Sequence, residues 1–489
     1  MKLSKQVVAS EYSTQHPEKV LQFGTGVLLR ALCDFFIQKG NEQDVFNGSI
    51  VIVKSTPGSV KDFAEQDNLY TVCVRGIDRG LLVEENKVIS AISRVVSAHE
   101  DWKGILATAE SDDMEIIISN TTEVGLSYQE EKINTEIAPE SFIAKLTTWL
   151  YQRFQAGKKG VVIIPTELLV DNGKILQKGV LDTVEFNNLG DDFKNWIISE
   201  NSFCSSLVDR IVPGKPNAAK KQELEAILGY QDDLMTMAEA YSLWAIEGDA
   251  KVRETLGFAD ADRNVKVEKD IQKYRELKLR LLNGSHTLMC GLSYLAGFEY
   301  VKDVMSDELM EKYITILMLT ELAPAIPYEV DAKITQRYGR EVMDRFRNPS
   351  LDHKWLSITL QYTMKMRMRC IPTLINYYKI FETVPQYFAR GFAAYLLFMK
   401  ATKVENGKFY GESNGETYLI NCDSAEYFYK EWQAANDTSD FVKTILSNEE
   451  LWGIDLSQLP EFARNVETHL SNMQLIGVRE VASALNVYA

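Results

Sequence analysis

The stretch VLQFGTGVLLRALCDFF, residues 20–36, decides how the first half of the chain is read. Val20 to Phe23 is a short apolar run, residues from Leu28 onward carry helical spacing, and Gly24 and Gly26 stand between the two. Glycines at a strand-to-helix turn let the backbone approach a pyrophosphate, and the helix N-terminus beyond offers unpaired N–H groups with a partial positive charge. Leu29 holds the place of the third glycine in G-x-G-x-x-G, so the stretch alone fits a plain turn equally well.

The same alternation continues on both sides. Strands are expected at residues 20–23, 49–54, 70–75, 115–119 and 160–164, with helical patterns at 28–39, 102–111 and 139–156. Repeated strand-helix-strand connections imply a mainly parallel, doubly wound sheet that binds ligands at its strand C-termini. From about residue 271 the strand signals fade, and amphipathic patterns at 307–322, 353–368 and 387–399 take over. The expected fold is α/β: a Rossmann-type dinucleotide-binding domain over residues 1–268, then a mainly α-helical substrate and catalytic domain over residues 269–489. The polar segment EGDAKVRETLGFADADRNVKVEKD, residues 247–270, is the expected transition. VENGKFYGESNGETY, residues 404–418, has two Asn-Gly pairs and reads as an exposed loop or hairpin.

Two or three domains suit a chain of 489 residues. Its net charge of −16, from 69 acids against 53 bases, argues against nucleic-acid or acidic-membrane partners while leaving room for a local basic site for a small anion. The six cysteines have no short paired spacing and read as reduced core thiols, which favours the cytosol. The N-terminus lacks the apolar core of a secretory signal and no apolar run is long enough to span a bilayer, so a soluble, cytoplasmic protein is expected.

Two further strand ends bear on a cofactor. IVIVKSTPGS, residues 50–59, has no acid at the second strand end; Lys54, Ser55 and Thr56 could receive a 2'-phosphate, which keeps NADP open beside NAD. IIISNTTEVGLSY, residues 116–128, places Ser119, Asn120, Thr121 and Thr122 where a ribose or nicotinamide would lie, although a polar turn capping the next helix has the same composition.

KLRLLNGSHTLMCGL, residues 278–292, puts a lysine, an amide and an imidazole into an otherwise apolar helix. On a regular helix Asn283 lies about 140° and His286 about 80° round from Lys278, one broad face. Carbonyl reduction needs a proton donor for the developing alkoxide and dipoles that polarise the carbonyl. Lys278 suits the first role, Asn283 the second, and His286 can orient hydroxyls. Each residue alone reads more simply as a snorkelling lysine, an Asn-Gly kink and a core histidine; the trio together favours function. In MKMRMRC, residues 364–370, Lys365 and Arg369 share a helix face and suit a carboxylate clamp, whereas Arg367 points elsewhere.

The pattern K-x4-N-x2-H in KLRLLNGSH resembles the signature of the mannitol dehydrogenase family of long-chain polyol and sugar-acid dehydrogenases. QFGTGVLLRA, SNTTEVG, NSFCSSLVDRIVP (residues 201–213) and RFRNPSLDHKWLSI (residues 345–358) extend the resemblance over nearly the whole chain. It implies NAD-linked hydride transfer without a catalytic metal, in the cleft between a Rossmann-type and a helical domain. For a sugar-acid subgroup it implies the interconversion of D-tagaturonate and D-altronate. Carried over by position, Lys278 is the general acid and base, Asn283 polarises the carbonyl and His286 binds substrate. Gly24, Gly26, Ser119, Thr121 and Val208 face the cofactor, Asp209 and Lys365 face the substrate, and Arg369 joins Lys365 there by its helix spacing alone. Leu168 stands where the family carries a second oxyanion asparagine, and Ser357 where mannitol-specific members carry an arginine. A fructuronate reductase, another polyol or sugar-acid dehydrogenase, a non-redox uronate epimerase and a nucleotide-sensing protein without turnover are the alternative readings.

Overall fold

The computed structural model describes residues 1–8, 15–121 and 123–484, and it divides into two compact units. The first comprises Met1–Arg75 and Leu82–Ile271, the second Gly76–Leu81 and Gln272–Ala489.

In the first unit six strands form one parallel sheet: β1 (Glu18–Phe23), β2 (Ser49–Lys54), β3 (Ile92–Ser97), β4 (Ile116–Ser119), β5 (Val162–Pro165) and β6 (Ser202–Phe203). Their spatial order is β3-β2-β1-β4-β5-β6. The central strands are apolar at successive positions, so period-two alternation fills both faces of the sheet. Val20, Ile50, Ile52, Ile116 and Ile118 enter one buried cluster, while Leu21, Val51, Val53, Ile117 and Ile163 enter another. Strand order reverses between β1 and β4, where Phe23 pairs with Ser119, so these C-terminal ends frame a crevice.

Three expectations are corrected. The strand expected at 70–75 runs over Tyr70–Asp78 but lies in a separate sheet, parallel to Thr236–Glu239. The place beside β2 is taken by β3, whose sequence ISRVVS hides its strand character because it is an edge. Arg94 on it makes two 2.9 Å hydrogen bonds to Glu18 on β1. The helix expected at 28–39 is two helices, α1 (Val27–Ala31) and α2 (Cys33–Glu42), broken at Leu32 with φ −125°. The Arg210 guanidinium donates to the Ala31 carbonyl and the Tyr70 hydroxyl to that of Arg30, so side chains replace the helix's own N–H groups there. Residues 247–270 are an integral part of the first unit. Val265–Glu268 pairs with Leu243–Glu247, and the Phe258 ring stacks on Trp244 at 5.5 Å. The polar residues that suggested a linker are caps, such as Asp249 accepting from Val252 N.

Beneath the glycine turn lies a buried polar network. Gln22 Nε2 donates to the Gly24 carbonyl at 3.3 Å, and Tyr70 Oη donates to Asp34 Oδ2 at 2.7 Å. Asp34 is fully buried, and desolvation pushes its carboxyl up to about 7, against Tyr70, Arg30 and Gln22, which favour the charged form. The folded state therefore holds this proton more tightly than the unfolded chain. The resulting stability is fully present below the ordinary carboxyl value and is lost as pH rises through about 7, an effect on the order of 4 kcal/mol at most. Asp34→Asn cannot titrate, so its melting temperature relative to the native protein should climb between pH 5 and pH 8. Parallel melting curves over that range would dismiss the assignment.

Among its described residues the second unit is mainly helical and carries a small antiparallel sheet, Lys403–Glu405, Lys408–Ser413 and Glu416–Leu419. Its turns are the two Asn-Gly pairs, with Asn406, Gly407, Asn414 and Gly415 all at positive φ, as two-residue hairpins require. At its centre Gln272–Leu277 runs through a π-helical turn, Lys278–Asn283, into Gly284–Leu295. Two further π-helical turns occur at Leu317–Leu322 and Met366–Cys370. The helix expected at 353–368 appears as Trp355–Ile358 and Tyr362–Lys365, interrupted at Gln361 with φ +52°, and the latter piece runs on into the turn Met366–Cys370. Among the described residues no helix is long and apolar enough to cross a membrane, and all six cysteines are free thiols.

Candidate active site

In the first unit the crevice at the ends of β1 and β4 is a cavity of about 560 Å³. Gly24 and Gly26 line it from the turn after β1, Ser55 from the end of β2, and Asn120 and Thr121 from the end of β4. Gly24 adopts φ +129°, and a side chain there would meet Leu29 Cδ1 at 3.0 Å and the Asn120 carbonyl at 3.2 Å. At Gly26 a Cβ would project into open space. The backbone is thus bare where a diphosphate needs to approach, so the residues present fit a dinucleotide.

Ser119 is buried beneath this floor instead of lining it. Its hydroxyl donates to Glu167 Oε2 at 3.3 Å, and Glu167 Oε1 accepts from Thr121 N at 2.8 Å and Thr121 Oγ1 at 3.0 Å. Burial pushes the Glu167 carboxyl up against these bonds. Val208 packs in the apolar core on the strand Ser206–Asp209, and Val208 and Asp209 pair with Trp244 and Leu243; neither lines the cavity. Thr122 lies outside the described residues. The sequence reading missed Lys145, which is buried, lines the cavity and donates to the Glu140 carbonyl at 2.6 Å. Burial lowers its ammonium. A lysine on the apolar face of the helix Phe142–Gln155 was the one available signal.

In the second unit the π turn changes the geometry of the trio. Its i→i+5 bonding brings Lys278 and Asn283, five residues apart, nearer to one line than the about 140° of a regular helix. Gly284 keeps helical angles, φ −65° and ψ −48°, so Asn283-Gly284 is not a turn. His286 follows on the same helix and is buried, its ring stacked on Phe346 at 4.3 Å and edge-on to His353 at 5.3 Å. Burial, then His353, Arg345 and Arg369, drive its imidazole well below the usual range, so it is neutral at pH 7. Its Nε2 is buried with no hydrogen-bond partner among the described residues.

The second basic element meets the first here. Arg369 Nη1 donates to Thr287 Oγ1 at 3.3 Å, and Thr287 in turn donates to the Asn283 carbonyl at 2.7 Å. Lys365 Nζ donates to the Ile358 carbonyl at 3.0 Å. Burial lowers both cations, and the Arg369 charge further lowers Lys365. Neither has a carboxylate partner among the described residues. Arg367 instead reaches the Glu450 carbonyl at the surface. At the two departures, Leu168 is 65% exposed and brings no polar atom, and Ser357 donates to the Lys354 carbonyl.

Residues 18–258 match the mannitol dehydrogenase Rossmann domain and residues 270–474 the mannitol dehydrogenase C-terminal domain. The chain belongs to the mannitol dehydrogenase family. Within this family it is similar to the altronate oxidoreductase of Halalkalibacterium halodurans, 37% identical, with 97% of this chain and 94% of the relative covered. The altronate oxidoreductase of Bacillus subtilis is 35% identical, with 98% and 97% covered. Among solved structures, a D-sorbitol dehydrogenase in substrate-free form has a TM-score of 0.78 at 21% identity, covering 99% of this chain and 100% of that one. The Pseudomonas fluorescens mannitol 2-dehydrogenase ternary complex with NAD and D-mannitol has a TM-score of 0.64 at 22% identity, with 99% of both chains covered. These two structures carry the same family fold.

Proposed function

We propose that the protein is an NAD-dependent altronate oxidoreductase, interconverting D-tagaturonate and D-altronate. The observation that carries the substrate class is the pair Lys365 and Arg369, two part-buried cations beside the Lys278–Asn283 turn with no acidic partner among the described residues. Leaving cations out of water without a counter-charge is unfavourable, and a substrate carboxylate supplies the missing charge. A neutral polyol does not, and Ser357 offers it no guanidinium. The full-length similarity to altronate oxidoreductases supports the same reading.

NADH held over the glycine turn would supply the hydride. Gly24 and Gly26 would admit its diphosphate, and Thr121, held by Glu167, lines the same cavity. Asn283 donates to the substrate carbonyl oxygen and stabilises the developing alkoxide, while Lys278 gives that oxygen its proton. In the reverse direction Lys278 takes the proton back. The neutral His286, with its unpartnered Nε2, orients a substrate hydroxyl. Lys365 and Arg369 hold the carboxylate.

NADH oxidation measured in parallel with tagaturonate, fructuronate and fructose tests this assignment. Tagaturonate should be turned over fastest, and no turnover of any keto-uronate would reject it. Arg369→Ala should raise KM for tagaturonate at least tenfold, about 1.4 kcal/mol or more. An unchanged KM would return Arg369 to a structural role.

A further inference from the structure

Arg280 lies inside the π turn that carries Lys278 and Asn283, and it is buried. Its Nε donates to Glu276 Oε2 at 2.9 Å, and its Nη1 donates to the carbonyls of Met368 at 2.6 Å and Arg369 at 3.1 Å. Both carbonyls belong to the other π turn, Met366–Cys370. A π turn takes backbone groups out of the i→i+4 ladder and leaves carbonyls in need of outside donors. Arg280 supplies them across the gap. A side chain at Gly284 would stand 3.7 Å from the Arg369 carbonyl, so the two backbones come close at this point. Cys370 Sγ also contacts the Gly284 carbonyl at 3.6 Å. Glu276 is steadied in turn by Gln272 Nε2 at 3.3 Å.

We infer that Arg280 is a positioning residue that locks the turn carrying Lys278 and Asn283 to the turn carrying Arg369, setting the spacing between proton donor and carboxylate clamp. This rests on the reading of the site proposed above. The planar fork of arginine is what permits one side chain to satisfy Glu276 and two carbonyls at once. A lysine keeps the charge but not the fork. With the tie gone, a substrate gripped by Arg369 is no longer presented squarely to Lys278.

The test is a double-mutant cycle in the full-length enzyme with NADH and tagaturonate. Arg280→Lys should lower kcat/KM about a hundredfold, since an ammonium that keeps Glu276 gives up the bonds to the Met368 and Arg369 carbonyls. NADH affinity, read by fluorescence titration, reports that the fold is retained. Arg369→Ala, costing at least tenfold in KM alone, should cost less than about threefold in the Arg280→Lys background, because the clamp is already misaligned. An equal cost in both backgrounds would make Arg280 merely structural and overturn the inference. If Arg369→Ala has no effect in the native enzyme, the proposed carboxylate site fails instead. Should Arg280→Lys not fold, Glu276→Gln replaces it: KM should rise about fivefold and the Arg369→Ala cost should shrink in step. An unchanged KM would equally overturn the inference.

Discussion

Lys278→Ala should lower kcat for tagaturonate reduction by about three orders of magnitude, the range that a positioned general acid contributes, while NADH affinity changes little. Lys278 opens the π turn, and the lysine ammonium is the trio's one group that can deliver a proton as the hydride arrives; Asn283 has no acidic proton and His286 is held neutral. The interaction is made in the transition state, so kcat and kcat/KM should fall together. Single-turnover mixing of enzyme, NADH and tagaturonate separates this loss from slow product release. A single-turnover rate within tenfold of the native one would remove Lys278 from the proton-transfer step.

Asn283→Ala should cost about a hundred- to a thousandfold in kcat, the penalty for removing one oxyanion donor from a preorganised site. Asn283 accepts from Thr287 through its backbone carbonyl, so the truncation leaves that bond and the link to Arg369 in place. KM should accordingly move much less than kcat. A loss below tenfold would show that another group carries the oxyanion, and a large rise in KM would show that Asn283 serves ground-state binding.

Much of the Rossmann unit was legible because buried parallel strands are written as uninterrupted apolar runs, as in SIVIVK and EIIIS. β3 was not, since an edge strand needs only one paired side and can carry Ser93 and Arg94. The strand at Tyr70 was legible as a strand but not as a member of another sheet, because pairing with Thr236–Glu239 joins segments far apart in sequence. In the cavity, the glycine turn and Thr121 were visible from their position at strand ends. Lys145 in its lining and Glu167 beneath its floor were not, since a buried charge looks the same in sequence whether it faces a cavity or a surface.

In the helical unit the residue types of the proposed site stand in the sequence: an ammonium, an amide and an imidazole in KLRLLNGSH, and two cations in MKMRMRC. Local composition was enough to single them out as candidates because each is out of place in an apolar helix. Their arrangement was decided by tertiary structure alone. A π turn is indistinguishable from an α turn by periodicity over six residues, and its misplaced carbonyls are stable only where a donor such as Arg280 arrives from across the fold. The chemistry of the site was therefore local information, and its geometry belonged to the packing of two segments more than eighty residues apart.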